Sequence, residues 1–413
     1  MRSRICGLVL AIGFVLATDG PPATVQAHPD NVVVDWNENM LAAITAANVP
    51  APAANRLGGI IQAAVFDAVN GIERKYTPIH VAAAAPDDAS PRAAAASAAY
   101  TMLVSLFPGQ KATLDSEFAA SMQVIADDED ANGVADGTAW GADVAHQTLT
   151  WRSTDGFNST LPPYVFGTGP GVYQPTPGGS GPPKFRTLAV TTPFALTSPS
   201  EFRPAGPPSL TSARYAQDLN EVMSVGGAVS SARTALQTQT ALFWQLDLGL
   251  KMWDRVADTL LVEQHKNLLQ SARILALTDI SITDSVIAVF DAKNFYNSWR
   301  PVTAIRATSD PTWLPLLVTP YFQEYPSAHT GTSSAAAATL ASFFGDATTF
   351  TMTSSGLPGV QRTYSSFHQA VAEVSDARVF AGFHFRFSCD DAIAMGDQVS
   401  AAVLSRLIQP AGD

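Results

Sequence analysis

Cysteine is nearly absent from this chain. Its 413 residues include two, Cys6 and Cys389. Cys6 lies in a leader-like start, which leaves Cys389 alone. No intramolecular disulfide can form, even in an oxidising compartment. A second long apolar run is missing as well. The stretch 280–290 is broken by Asp284 and reads as a core helix rather than a membrane span. Basic residues are few, 24 against 36 acidic, for a formal net charge of −12 at pH 7. Such a surface argues against nucleic acid or an anionic membrane as a partner. No strand-rich region and no internal repeat is evident.

Residues 1–27 read as a secretory signal. Arg2 and Arg4 form a basic start, residues 5–17 an apolar stretch too short to cross a bilayer, and Val25-Gln26-Ala27 a small-residue cleavage site. Cys6 precedes the apolar stretch, so this is no lipoprotein signal. Removal of the leader leaves a net charge of about −13. The mature protein is expected to be soluble and exported, secreted or periplasmic, with no membrane span.

With 46% hydrophobic residues the chain can bury a large core. Residues 28–152 form an expected N-terminal helical half. Leu57, Ile60, Ile61, Ala64, Val65, Ala68 and Val69 recur at helical spacing and mark one buried face. Ala-rich stretches follow at 92–106 and 111–125. Residues 153–211 change character, because their Pro/Gly clusters forbid long helices. Helical pattern resumes near Ser212 and runs to about Leu407, within a C-terminal core expected over 212–413. The expected architecture is all-α, two helical halves joined by a long irregular crossover.

Three segments of the C-terminal half carry chemistry. The first runs from Lys293 to Arg300-Pro301. Seven residues turn about 700° on a helix, so both side chains would leave one face, their Cα atoms about 10.5 Å apart. Two long cations at that distance can converge on one small anion, although a solvated basic face has the same spacing. The second segment is Pro326-Ser327-Ala328-His329, directly before an Ala-rich run that reads as a helix starting near Ser327. A helix start offers free N–H groups to an oxyanion. The Ser327 hydroxyl and Ala328 amide would point the same way, and His329 could act as acid or base. The plain alternative is an N-cap serine and a surface histidine. The third segment spans Arg378 to His384. Six residues turn about 600°, so these two converge only if the helix breaks, and Gly382 allows a break. Without it, His384 reads as a core histidine among Val379, Phe380, Phe383, Phe385 and Phe387. Three cations aimed at one pocket of an acidic protein call for an anionic ligand such as phosphate or vanadate.

The order Lys-x6-Arg-Pro, Pro-Ser-x-His, Arg-x5-His resembles the signature of the vanadium-dependent haloperoxidases and the type 2 phosphatidic acid phosphatase (PAP2) superfamily that shares their site. The motifs cover about residues 293–388. Asp35-Trp-Asn, Phe66-Asp-Ala-Val-Asn-Gly and Gly169-Pro-Gly-Val-Tyr-Gln-Pro-Thr-Pro extend the likeness toward secreted bacterial haloperoxidases. The resemblance implies a helical bundle and vanadate as cofactor, with phosphate able to occupy the same site and no haem or flavin. It implies hydrogen peroxide, halide and small organic acceptors as partners, and hypohalous acid as product. By the same resemblance His384 would bind vanadium, or attack phosphorus and become phosphohistidine in a phosphatase. Lys293, Arg300, Ser327, Ala328 and Arg378 would hold the oxyanion, and His329 would handle the proton. Phe290 and Phe322 would wall a halide pocket, as in chloride-oxidising members.

Two positions depart from the family pattern. Ala328 replaces the usual Gly, so a positive φ there would cost about 1 kcal/mol or more. Ser388 stands where an acid commonly follows the distal histidine. The alternatives are a metal-free acid phosphatase, which the roughly 180 additional mature residues before the core disfavour, and a non-catalytic anion-binding protein, against which every cation and histidine of the motifs is retained.

Overall fold

A computed structural model describes residues 31–412, so the leader expected at 1–27 lies outside the described residues. Thirteen α-helices make up the described fold. The first five are α1 (Val32–Ala46), α2 (Ala51–Glu73), α3 (Pro91–Leu106), α4 (Lys111–Asp128) and α5 (Ala131–Arg152). The second set is α6 (Ala213–Val225), α7 (Ala235–Gln245), α8 (Gly249–Glu263), α9 (Leu268–Tyr296), α10 (Pro301–Thr308), α11 (Ala328–Phe344), α12 (Phe367–Phe380) and α13 (Arg386–Arg406). Between α5 and α6 the only regular element is a short 3-10 turn, Arg186–Val190. A two-stranded antiparallel hairpin, β1 (Phe350–Thr353) and β2 (Gln361–Tyr364), interrupts the helical pattern anticipated from Ser212 onward.

Helix α9 is the axis of the bundle. It opens on a capping box in which Asn267 and Gln270 satisfy each other's backbone N–H groups. Residues 274–290 are buried on every face, which is the pattern of a helix enclosed by others rather than one at a surface. It packs against α2, α11 and α13. The apolar face anticipated on α2 is buried, with Leu57 partly so. No helix among the described residues is long and apolar enough to cross a membrane.

The crossover between the halves is tied to the bundle by charge and by backbone pairing. Asp155 accepts from Arg56 and Arg152. Asp284 of α9 accepts from the amides of Phe194, Ala195 and Leu196. Asp291, two turns on, takes both arms of Arg203. The crossover also pairs with residues 297–299, through Tyr173 N to Asn297 O and Trp299 N to Gly171 O. That stretch leads directly into Arg300.

Candidate active site

Lys293 sits in the last turn of α9, but the helix does not continue to Arg300. Asn297 takes a left-handed φ of 48° and ends α9; Arg300 is extended and precedes Pro301, the first residue of α10. The single helical face expected for this pair is therefore wrong. A chain reversal brings them together, and Pro301 favours the extended backbone at Arg300. Lys293 Nζ donates to the carbonyls of Gln323, Glu324 and Pro326 at 2.9, 2.7 and 2.6 Å. All three ammonium protons are thereby engaged within the protein. Lys293 clamps the segment leading to Ser327 and contributes positive charge rather than a free hydrogen-bond donor. Burial pushes its pKa well down, with the Arg300 charge acting in the same direction.

Arg300 donates from Nε to Phe322 O and from Nη1 to Phe383 O, and Nη1 lies 3.0 Å from His384 Nε2. Its Nη2 is buried with no partner in the protein. Arg378 donates from Nη1 to Gln245 Oε1 at 2.8 Å and lies 3.4 Å from His329 Nδ1; its Nε has no partner. Burial lowers both guanidinium pKa values to about 10, so both stay charged at neutral pH.

Helix α12 ends at Phe380, and Gly382 takes φ 79°, a left-handed conformation that side-chain-bearing residues rarely adopt. This break swings His384 back beside Arg300. His384 is buried, and its Nδ1 lies 2.8 Å from Glu324 Oε1 and 3.3 Å from Ser388 Oγ. Burial, reinforced by the charges of Arg300, Lys293 and Arg378, holds its pKa well below the ordinary imidazole value. Burial pushes the Glu324 carboxyl up to about 7, while Lys293 and Arg300 pull it back.

Ser327 is the residue before α11, as expected, but its hydroxyl does not cap the helix. It pairs with Thr330 Oγ1 at 2.9 Å, so hydroxyl and Ala328 amide are not seen acting as a common donor pair. Ala328 is the first residue of α11 and has no positive φ, so the strain anticipated for a non-glycine residue does not arise. The first amides of α11 have no helical acceptor. His329 follows in the first turn. Its ring stands edge-on to Trp244 at 6.0 Å, and a Cβ at Gly249 would lie 3.1 Å from Nε2. Burial, then the Arg378 charge, lowers its pKa to about 3, so it is neutral at ordinary pH.

A cavity of about 300 Å³ is lined by Trp244, Gln245, Phe322, His329, Arg378 and His384, with Ala328 also on its wall. Lys293, Arg300, Ser327 and Phe290 stand behind that wall. Phe290 is fully buried and backs Phe322 at 5.2 Å, so of the two anticipated halide-pocket rings only Phe322 faces the cavity. The Phe322 ring also lies 5.3 Å from Lys293 Nζ and 5.1 Å from Arg300 Cζ. The arrangement suits an oxyanion. Arg378, two neutral imidazoles and the first residues of α11 line one cavity, and Arg300 stands behind it against His384; both guanidiniums keep a buried N–H without a partner. Glu324, Gln245 and Trp244 were not singled out from the sequence. Glu324 had a signal, an acid three residues before Ser327; the other two lie at the end of α7 and had none.

Residues 273–412 match the family model described as the VCPO second helical-bundle domain. A bacterial vanadium-dependent iodoperoxidase structure aligns over 96% of this chain and 100% of its own, with a TM-score of 0.80 and 22% identity. An apo bacterial vanadium-dependent chloroperoxidase aligns over 94% of this chain and 95% of its own, with a TM-score of 0.70 and 16% identity. The chain has the vanadium-haloperoxidase fold. Among curated proteins, vanadium chloroperoxidase of Curvularia inaequalis is 27% identical over 225 residues, which cover 43% of this chain and 37% of that protein. The matched bundle begins within α9 and includes all three motif segments. The matched bundle supplies Phe322, Ala328, His329, Arg378 and His384 to the cavity, while Trp244 and Gln245 reach it from outside the matched residues.

Proposed function

We propose that the protein is an exported vanadate-dependent haloperoxidase that uses hydrogen peroxide to oxidise halide to hypohalous acid. The observation that carries this reading is the buried pair Arg300 and Arg378, each with a partnerless N–H, flanking two neutral histidines on one cavity. Vanadate, when bound, supplies Lewis acidity toward peroxide. His384 would hold the vanadate through Nε2. Arg300 Nη2 and Arg378 Nε would donate to the oxyanion and offset its charge, the first amides of α11 would donate to it, and Lys293 would add charge from behind. His329 is neutral, and because its Nδ1 faces the donor-only Arg378 guanidinium, Nε2 carries the ring hydrogen and can donate it at the cavity. Phe322 and Trp244 restrict water, which strengthens the pull of the cations.

The test is to load purified protein with vanadate and follow peroxide-dependent oxidation across a halide series at mildly acidic pH, with phosphate-ester hydrolysis measured beside it. The expected result is ready bromide turnover and detectable chloride turnover. Bromide turnover without chloride would refute the halide claim. Steady ester hydrolysis without turnover of either halide would make the protein a PAP2-type phosphatase acting through His384. Binding without either reaction would leave the anion-binding reading. Export with loss of residues 1–27 is part of the proposal; the N-terminal sequence of protein recovered outside the cytoplasm would check it.

A further inference from the structure

We infer that Glu324 is the residue that positions His384, taking the place of the acid that Ser388 does not supply. The inference rests on reading the cavity as an oxyanion site. Glu324 is fully buried. Its Oε1 lies 2.8 Å from His384 Nδ1 and accepts from Phe385 N at 3.1 Å. Both contacts are to the loop that carries the histidine. Lys293 and Arg300 act on the carboxylate through charge alone. It makes no hydrogen bond to Lys293 or Arg300, whose observed bonds go to carbonyls and to His384.

The backbone of Glu324 is fixed from two sides. Its amide donates to Ser298 O at 3.0 Å, and its carbonyl accepts from Lys293 at 2.7 Å. A rigid carboxylate facing Nδ1 makes that nitrogen the protonated one and keeps Nε2 unprotonated, its lone pair accepting from Arg300 Nη1 until an oxyanion takes that place. Nε2 is the nitrogen beside Arg300 Nη1. Glu324 thereby selects the tautomer that can bind or attack an oxyanion, from a chain segment 60 residues away. Ser388 Oγ, at 3.3 Å from the same Nδ1, is the longer and weaker contact.

The experiment titrates orthovanadate, and separately inorganic phosphate, into wild type, Glu324→Ala and the double variant Glu324→Ala/Ser388→Asp by calorimetry. Removing a partner of this kind typically costs about 10–100-fold in affinity, and that loss is expected for Glu324→Ala. The double variant returns an acid to the other neighbour of Nδ1 and should recover most of the loss. Unchanged affinity in Glu324→Ala overturns the inference. So does a loss that Ser388→Asp fails to restore, since that would mark Glu324 as packing only. Should Glu324→Ala not fold, the ring-nitrogen spectrum of ¹⁵N-histidine-labelled wild type decides. The signal lost in His384→Ala must report an Nδ1–H tautomer, and an Nε2–H tautomer overturns the inference. Failure of wild type to bind either anion would instead overturn the oxyanion reading.

Discussion

At the scale of single residues, the two histidines divide the work by position. His384 faces Arg300 through one ring nitrogen and Glu324 through the other. His384→Ala should abolish oxyanion binding, and a calorimetric titration with vanadate checks it. His329 touches the site through Arg378 and the cavity wall. His329→Ala should keep the bound oxyanion and lose about 10²–10⁴-fold in turnover, the ordinary share of a proton-transfer group. Wild-type rates across pH in that variant would reduce His329 to lining. The identities of these residues were legible in the motif order. Their orientations were not. Helical arithmetic puts Lys293 and Arg300 on one face, yet Asn297 ends the helix, and Lys293 turns its protons to three carbonyls.

At the scale of elements, α9 holds the irregular crossover as well as the motif lysine. Asp284 looked like a break in an apolar run. In the folded chain it is a three-point acceptor for residues 194–196. Asp284→Ala should strand those amides and cost about 2–4 kcal/mol, with faster proteolysis between 153 and 211. Chemical denaturation and limited proteolysis measure both, and unchanged cleavage would show that Arg203, Arg56 and Arg152 suffice to hold the segment. Sequence pattern identified the crossover through its Pro/Gly clusters. It could not tell which carboxylates would anchor it, because an anchor is defined by what lies across space.

At the scale of the whole molecule, burying a largely helical core around α9 also buries charge-capable groups. Asp254 on α8 and Asp279 on α9 are both fully buried with their carboxyl groups against each other, and no carboxyl oxygen of either has a further hydrogen-bond partner among the described residues. Burial raises Asp279 to about 7 and Asp254 well above the usual carboxylate range. A folded-state pKa above the unfolded one gives stability that is complete below about pH 4 and lost as pH rises through about 7. Asp279→Asn removes that titration. The variant should gain on wild type as pH rises from 5 to 8, read from urea denaturation at each pH (about four points suffice). A gap independent of pH would mean that the pair does not share a proton.

The helical class, the crossover and the set of cations and histidines are legible along the chain. Those follow from local signals: periodicity, Pro/Gly content and motif order. Which cations face the cavity, that Phe290 stands behind Phe322 and that Glu324 stands against His384 emerge when the chain folds. Hydrogen-bond donors and acceptors find their partners through space, and Glu324 and His384 meet across 60 residues of chain.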